Sequence, residues 1–322
     1  SIMSVSRAMR GVEGVSAAKR AEILRVANRM GYRPNRMAGS LAAANSTLIG
    51  VSVPTLFDAV FAEIFDGMRA AFISAGFQTV IETTEYFEDR EEQWVERMIS
   101  WHPAGIILSG VHHSDGTRSK LAEARIPVLE IWDHSDEPID LCVGINHNLA
   151  GYEMGQYLLN LGYRRPAYVG VEHNRDRRAE GRFDGLQKAF AEAGVALVTN
   201  TRIASRPSFE AGLAGVERVL NEADEPPDII YFLNDHMAFG GMMACERYGL
   251  PVPERVAIVG FNGLNINAVL RKKITTSVTP RHQMGAKAAQ MIVAKIFGAR
   301  TDRHVQMPVE IFAGQTTRRP SG

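Results

Sequence analysis

Cysteine is scarce in this chain, and its scarcity excludes two ways of holding a protein together. Only Cys142 and Cys245 occur in 322 residues. They lie far apart in apolar surroundings, with no CxxC pair and no histidine at metal-ligand spacing, so neither a disulfide framework nor a zinc site is expected. Two buried free thiols in a cytoplasmic protein is the reading that follows. No apolar run approaches the roughly 20 residues of a membrane span, and Ser1 to Gly14 lacks the apolar stretch of a signal peptide. Neither membrane insertion nor secretion is expected. Activated nucleophiles, HExxH and glycine-rich phosphate loops are missing as well, and His112 and His113 read as surface loop residues. Catalytic residues, metal and cofactor are all expected to be none.

What is present is ordinary globular composition, 45% hydrophobic and 22% charged, on a chain longer than one average domain. The formal net charge of zero conceals an asymmetry. The first forty residues carry eight basic side chains, among them Arg7, Lys19 and Arg36, against Glu13 and Glu22, a local +6 that leaves −6 on the rest. A compact basic end on an acidic body suggests that this end alone meets a polyanion. Here Ser1 can cap a helix Ile2 to Met9 closed by Gly11. Ser16 can cap a second helix, whose stripe Ile23, Val26, Ala27 and Met30 ends at Gly31. The stretch from Asn35 to Ala44 has room for one brief, marginal helix after Pro34.

From Leu48 the texture changes to apolar runs alternating with amphipathic helices, which predicts parallel, doubly wound sheets. Strands are expected at Leu48–Val53, Gln78–Glu82, Gly105–Ser109, Val128–Ile131 and Cys142–Ile145. The alternation then restarts, with strands at Ala167–Val171, Asp228–Phe232 and Val256–Phe261. Two such sheets imply two similar lobes with a ligand cleft at the carboxyl ends of their strands.

The segment Ser1-Ile-Met-Ser-Val-Ser-Arg7, then Val15-Ser16, then Gly31-Tyr-Arg-Pro-Asn35 resembles the DNA-binding headpiece of the lactose-repressor family. The resemblance implies a helix-turn-helix in residues 1–34 whose first helix is missing, with Ile2–Met9 as its recognition helix in the major groove. Ile2, Met3 and Arg7 would then read bases, while Ser4 and Ser6 would hold phosphates. Residues 35–47 would be the hinge and linker, with Asn35 at the DNA and Leu41 wedged into the minor groove. Residues 48–322 would be a periplasmic-binding-protein-like effector domain. Its lobe one would comprise about 48–160 and 279–310, and lobe two about 161–278 and 311–322.

Glu130-Ile-Trp-Asp133, Pro138-Ile-Asp140, Val143-Gly144 and Val278-Thr-Pro-Arg281 resemble the gluconate-operon repressor branch of that family. By position the resemblance places effector contacts on Val60, Phe61, Asn146, Arg182, Phe209, Asn234 and Asn262. Glu130 and Asp133, three apart near a strand end, could line one wall of the cleft, and His147 could add a donor beside Asn146. Simpler roles stand beside these: core packing for Phe61 and Phe209, helix capping for Asn234 and Asp235, and a surface pair with Glu180 or Asp184 for Arg182. The expected molecule is a homodimeric repressor that binds operator DNA and a sugar acid such as gluconate or 6-phosphogluconate. A solute-binding protein and a sugar-acid enzyme on the same architecture are the alternatives.

Overall fold

Serine and glycine punctuate the N-terminal region where the pattern places them. In this computed structural model, which describes residues 2–32, 46–57, 59–172, 176–223 and 225–318, α1 spans Ile2–Arg10 and α2 spans Ala17–Arg29. Gly11 and Gly14 in the turn take φ of 72° and 101°, values that glycine adopts without a Cβ penalty. The Ser16 side chain caps α2 by accepting from the Lys19 amide. Val5, Ile23, Val26 and Met30 line an open groove of about 320 Å³ along the two helices. Ser1 and the hinge residues Asn35 and Leu41 lie outside the described residues.

The first sheet forms from β1 (Leu48–Val53), β2 (Gln78–Thr83), β3 (Gly105–Ser109), β4 (Val128–Asp133) and β5 (Leu141–Ile145), linked by α3 (Ala59–Ser74), α4 (Glu88–Ser100) and α5 (Asp115–Ala124). After α6 (His147–Asn160) the pattern repeats. The second sheet holds β6 (Pro166–Val171), β7 (Thr199–Ile203), β8 (Ile229–Phe232), β9 (Ala257–Asn262) and β10 (Thr275–Val278), with α7 (Arg177–Glu192), α8 (Phe209–Glu222) and α9 (Asp235–Arg247) between them. Finally α10 (Arg281–Ile296), β11 (His304–Gln306) and β12 (Glu310–Phe312) complete the chain. The strand orders are β11-β5-β4-β3-β1-β2 and β12-β10-β9-β8-β6-β7, all parallel except the antiparallel β10–β12 pair. The two lobes are thus one winding used twice.

Helices cover both faces of such sheets, so their central strands are buried on both sides and read as continuous apolar runs. β7 and β10 do not. β7 is an edge strand of sequence Thr-Asn-Thr-Arg-Ile, and β10 buries Thr275, Thr276 and Ser277 almost completely. The two threonine hydroxyls are tolerated there because they are bonded, Thr275 to Thr317 at 2.8 Å and Thr276 to Asp235 at 2.7 Å, whereas the Ser277 hydroxyl has no hydrogen-bond partner among the described residues. Neither strand was anticipated, nor were α5, α8 and α10. One assignment also moves. Met154, Leu158 and Leu159 of α6 join the core of the second sheet, so the chain leaves the first lobe after β5 and not near residue 160.

The helices that flank the sheets approach one another through reciprocal glycines. A Cβ on Gly67 of α3 would fall 2.1 Å from the His282 carbonyl oxygen, and one on Gly285 of α10 would fall 1.8 Å from that of Ile64. Gly151 and Gly185 join α6 to α7 in the same way, and Gly212 and Gly240 join α8 to α9. Absence of a side chain lets backbones touch where any Cβ would collide.

Gly285→Ala is therefore expected to lower stability by about 1–3 kcal/mol, the usual cost of overpacking. Gly181→Ala, at a helical site where the nearest atom is 4.0 Å away, should be neutral or stabilising by up to about 1 kcal/mol. Urea denaturation of both variants measures the contrast, and equal effects would refute it.

Candidate functional site

Strand ends from both lobes meet around a cavity of about 430 Å³. From the first lobe come Val60 and Phe61 on the opening turn of α3, Tyr86 after β2, and Trp132 at the end of β4. The second lobe contributes Arg182 on α7, Leu233 and Asn234 after β8, and Asn262 at the end of β9. Thr55, Glu85, Asp176 and Arg206 complete the polar lining. Phe61 and Trp132 meet edge to face with centroids 6.0 Å apart, and Trp132 takes a φ of 85°. Residues at non-glycine left-handed φ cluster where a site imposes its geometry. Val60, Phe61, Arg182, Asn234 and Asn262 thus stand together as the sequence suggests.

The electrostatics turn on arginines. Arg178 is 8% exposed, and its Nε donates to Asp176 Oδ1 at 2.7 Å while its Nη1 reaches Ser109 Oγ at 2.9 Å. Burial disfavours ionised Asp176, but Arg178 and Arg182 outweigh it and hold the carboxyl below its ordinary range. Arg182 is 5% exposed, and among the described residues no carboxylate oxygen lies within 4.0 Å of it. Its Nη1 lies 3.1 Å from His147 Nδ1, its Nη2 donates weakly to the Leu233 carbonyl at 3.4 Å, and its plane covers the Phe261 ring at 4.1 Å. Neither Glu180 nor Asp184 pairs with it, and Glu180 binds Arg202 instead.

His147 is a link and not a free cleft donor. Burial, reinforced by Arg182 and Arg178, lowers its pKa despite Asp133. The neutral ring accepts from Arg182 at Nδ1, so Nε2 carries the proton and faces Asp133 Oδ1 at 3.0 Å, close but poorly aligned. Asp133 itself lines a small side pocket with Arg177 and Arg178.

With His147 and Asp133, three more of the expected contacts stand outside the cavity lining. Asn146 caps α6, its Oδ1 accepting from the Leu149 amide at 2.9 Å, and it borders a separate pocket at the lobe crossover. Glu130 is 1% exposed and turned into the lobe, accepting from the Ile139 amide at 2.8 Å and facing His113 Nε2 at 3.3 Å. Phe209 packs on the α9 surface against His236, with ring centroids 5.1 Å apart, and is absent from the cavity lining. Asn234 accepts from the Met237 amide as the cap of α9, whereas Asp235 turns inward to Leu264 and Thr276. The pattern also missed Tyr86, Asp176 and Arg206, which stand on loops and turns whose sequences carry no period, and Arg178 in the first turn of α7.

In the headpiece, Met3 and Arg7 point to solvent from α1, and Ser4, Ser6 and Met9 are half-buried. Met3, Val5 and Arg7 are thus the exposed side chains among the described ones of the helix.

His113 was read as a surface residue, but it is 9% exposed with Nδ1 2.6 Å from Glu91. Burial alone would lower its pKa; the bonds to Glu130 and Glu91 prevail and raise it to about 9. A histidine bound more tightly as a cation stabilises the fold fully below its unfolded value of about 6.5 and loses that contribution as pH rises through the folded value. Urea midpoints should therefore fall between pH 6.5 and about 9, with a smaller fall in His113→Gln. An identical pH profile for the two proteins would contradict this assignment.

A family described as a periplasmic binding protein-like domain matches residues 156–317. The HTH-type transcriptional regulator GntR of Escherichia coli K12 is 32% identical over 92% of this chain and 88% of its own length. The regulator IdnR of the same strain is 31% identical over 98% and 94%. Among solved structures, a LacI-family transcriptional regulator from Silicibacter pomeroyi superposes with a TM-score of 0.92 at 34% identity, covering 99% of this chain and 96% of that one. With two wound lobes, an interlobe cavity and a basic helical pair now described, these similarities agree with the architecture: the chain belongs to the LacI family of transcriptional regulators, on the branch that contains GntR and IdnR.

Proposed function

We propose that this protein is a cytoplasmic, homodimeric repressor of sugar-acid metabolism genes whose effector is an anion such as gluconate or 6-phosphogluconate, held in the interlobe cavity. The observation that carries the reading is Arg182: a buried guanidinium at the cavity wall with no carboxylate partner among the described residues. Arg182 shares the field of Asp176 with Arg178 but forms no ion pair of its own among the described residues, and a ligand carboxylate or phosphate would supply one through charge-assisted bonds. Neutral His147 holds one edge of Arg182 without adding a competing charge. Asn262 offers both donor and acceptor to sugar hydroxyls, while Asn234, its oxygen engaged in the α9 cap, offers its amide N–H groups. Phe61 and Trp132 supply an apolar wall.

The DNA-facing part follows the family: Met3 and Arg7 on bases, Ile2 beside them, Ser4 and Ser6 on phosphates, with Asn35 and Leu41 completing the contact from the hinge. Two copies would set two recognition helices on a two-fold operator. The helix-turn-helix favours this reading over a transport solute-binding protein of the same two-lobed design.

Arg182→Ala should weaken binding of the acid by about 2 to 5 kcal/mol, as when one partner of a buried charge pair is removed. Calorimetry with gluconate, 6-phosphogluconate, glucose and ribose tests the ligand class, and a neutral sugar that binds as tightly as every acid refutes it. Arg7→Ala should cost about 1–3 kcal/mol of specific operator affinity while leaving non-specific binding nearly unchanged at matched salt. Uniform weakening on all sequences would make Arg7 a phosphate contact.

A further inference from the structure

Three potential ligands converge on the outer edge of the first sheet, none of them in the cavity lining. His134 follows β4, Asp136 stands two residues later in the same loop, and His304 opens the edge strand β11. Nε2 of His134 and Nδ1 of His304 each lie 3.8 Å from the same Oδ1 of Asp136. One donor atom from each residue lies within 4.8 Å of the other two, and the imidazoles meet edge to face with centroids 5.5 Å apart.

The backbone fixes this convergence. The His134 amide donates to the Ile145 carbonyl at 3.1 Å, β11 runs parallel to β5 with His304 opposite Cys142, and Ser135 Oγ accepts from the Glu137 amide at 3.1 Å. Separations of 3.8 Å are too long for hydrogen bonds, so the three groups do not satisfy one another. They do suit a common ion. Ligands at about 2.0–2.1 Å around a tetrahedral centre stand roughly 3.3 Å apart, and side-chain rotation closes the 3.8 Å separations from Asp136 and draws together the two imidazole donors, which lie within 4.8 Å of each other.

We propose that His134, Asp136 and His304 form a surface site for a divalent transition metal, with Zn²⁺ the best match. Two imidazoles and one carboxylate suit Zn²⁺, whereas Ca²⁺ and Mg²⁺ require oxygen-rich shells. The fourth position faces solvent, since the Asp136 side chain is 84% exposed, and water completes the shell. A bound ion joins the loop after β4 to β11, just before residues 307–309 carry the chain across to β12 in the second sheet. The site thereby pins one of the crossings between lobes to the first lobe.

Titration of the chelator-treated full chain with Zn²⁺ tests this by calorimetry, and Co²⁺ substitution reports geometry through its visible absorption. One equivalent should bind with a tetrahedral Co²⁺ spectrum. His134→Ala and His304→Ala should each weaken binding by about 10-fold or more, while His282→Ala, on α10, should leave it unchanged. Melting in EDTA checks that the variants fold, and Asp136→Asn, at an exposed position, decides the matter if either histidine variant is destabilised. Absence of stoichiometric binding, or binding that survives all three substitutions, overturns the proposal.

Discussion

Among the described residues three guanidinium groups are buried where the two sheets face each other, and the arrangement of the cleft follows from how each is compensated. Arg178, Arg182 and Arg281 are 8%, 5% and 4% exposed. A cation removed from water needs a counter-charge and a full set of acceptors. Arg281 has both: its Nε reaches Glu63 of α3 at 2.9 Å, its Nη1 donates to the Asn262 carbonyl and Thr279, and its Nη2 donates to the Gly263 carbonyl at 3.1 Å. Those bonds hold the end of β9 in the left-handed conformation that presents Asn262, at φ 112°, to the cavity. Arg178 has Asp176 and Ser109. Arg182 alone of the three has a neutral partner, and the cavity opens beside it.

These arginines also join the lobes. Arg281 spans from the second sheet to α3, and Arg178 spans from α7 to the end of β3. The chain itself crosses after β5, after β10 and between β11 and β12. A ligand that touches Phe61 and Trp132 on one side and Arg182 and Asn262 on the other contacts both lobes, so its affinity depends on their separation. That differential is what allows a small molecule to shift a conformational equilibrium. Reciprocal glycines keep each lobe stiff by bringing helix backbones into contact, which leaves the crossings as the deformable part.

Much of this was legible in the sequence. Serine and glycine marked the headpiece helices, and the central strands appeared as apolar runs because a parallel sheet buries both faces. β10 escaped notice because its buried faces are threonine and serine, the threonines made tolerable by partners on Asp235, Thr316 and Thr317 that are distant in the chain. In the cleft, Phe61, Arg182 and Asn262 were found because they stand at strand ends or helix starts in a recognisable order. Asn146 stands at such a strand end too, yet its side chain turned to the Leu149 amide and left the cavity.

Composition, period and punctuation determined the class of the molecule: a basic helical pair followed by two wound α/β lobes with a cleft at the strand ends. They sufficed because helix caps and the alternation of apolar runs are local, each set by residues within a few positions of one another. Tertiary structure alone decided which polar groups face the cleft and in what charge state. His147 became a neutral acceptor between Asp133 and Arg182, Glu130 and His113 became a buried ion pair, and Arg182 was left with no carboxylate in ion-pair range among the described residues. Each outcome is set by burial and by partners from other elements, as far as 35 residues away for Arg182 and His147, and no local pattern encodes the dielectric in which a charge will finally sit.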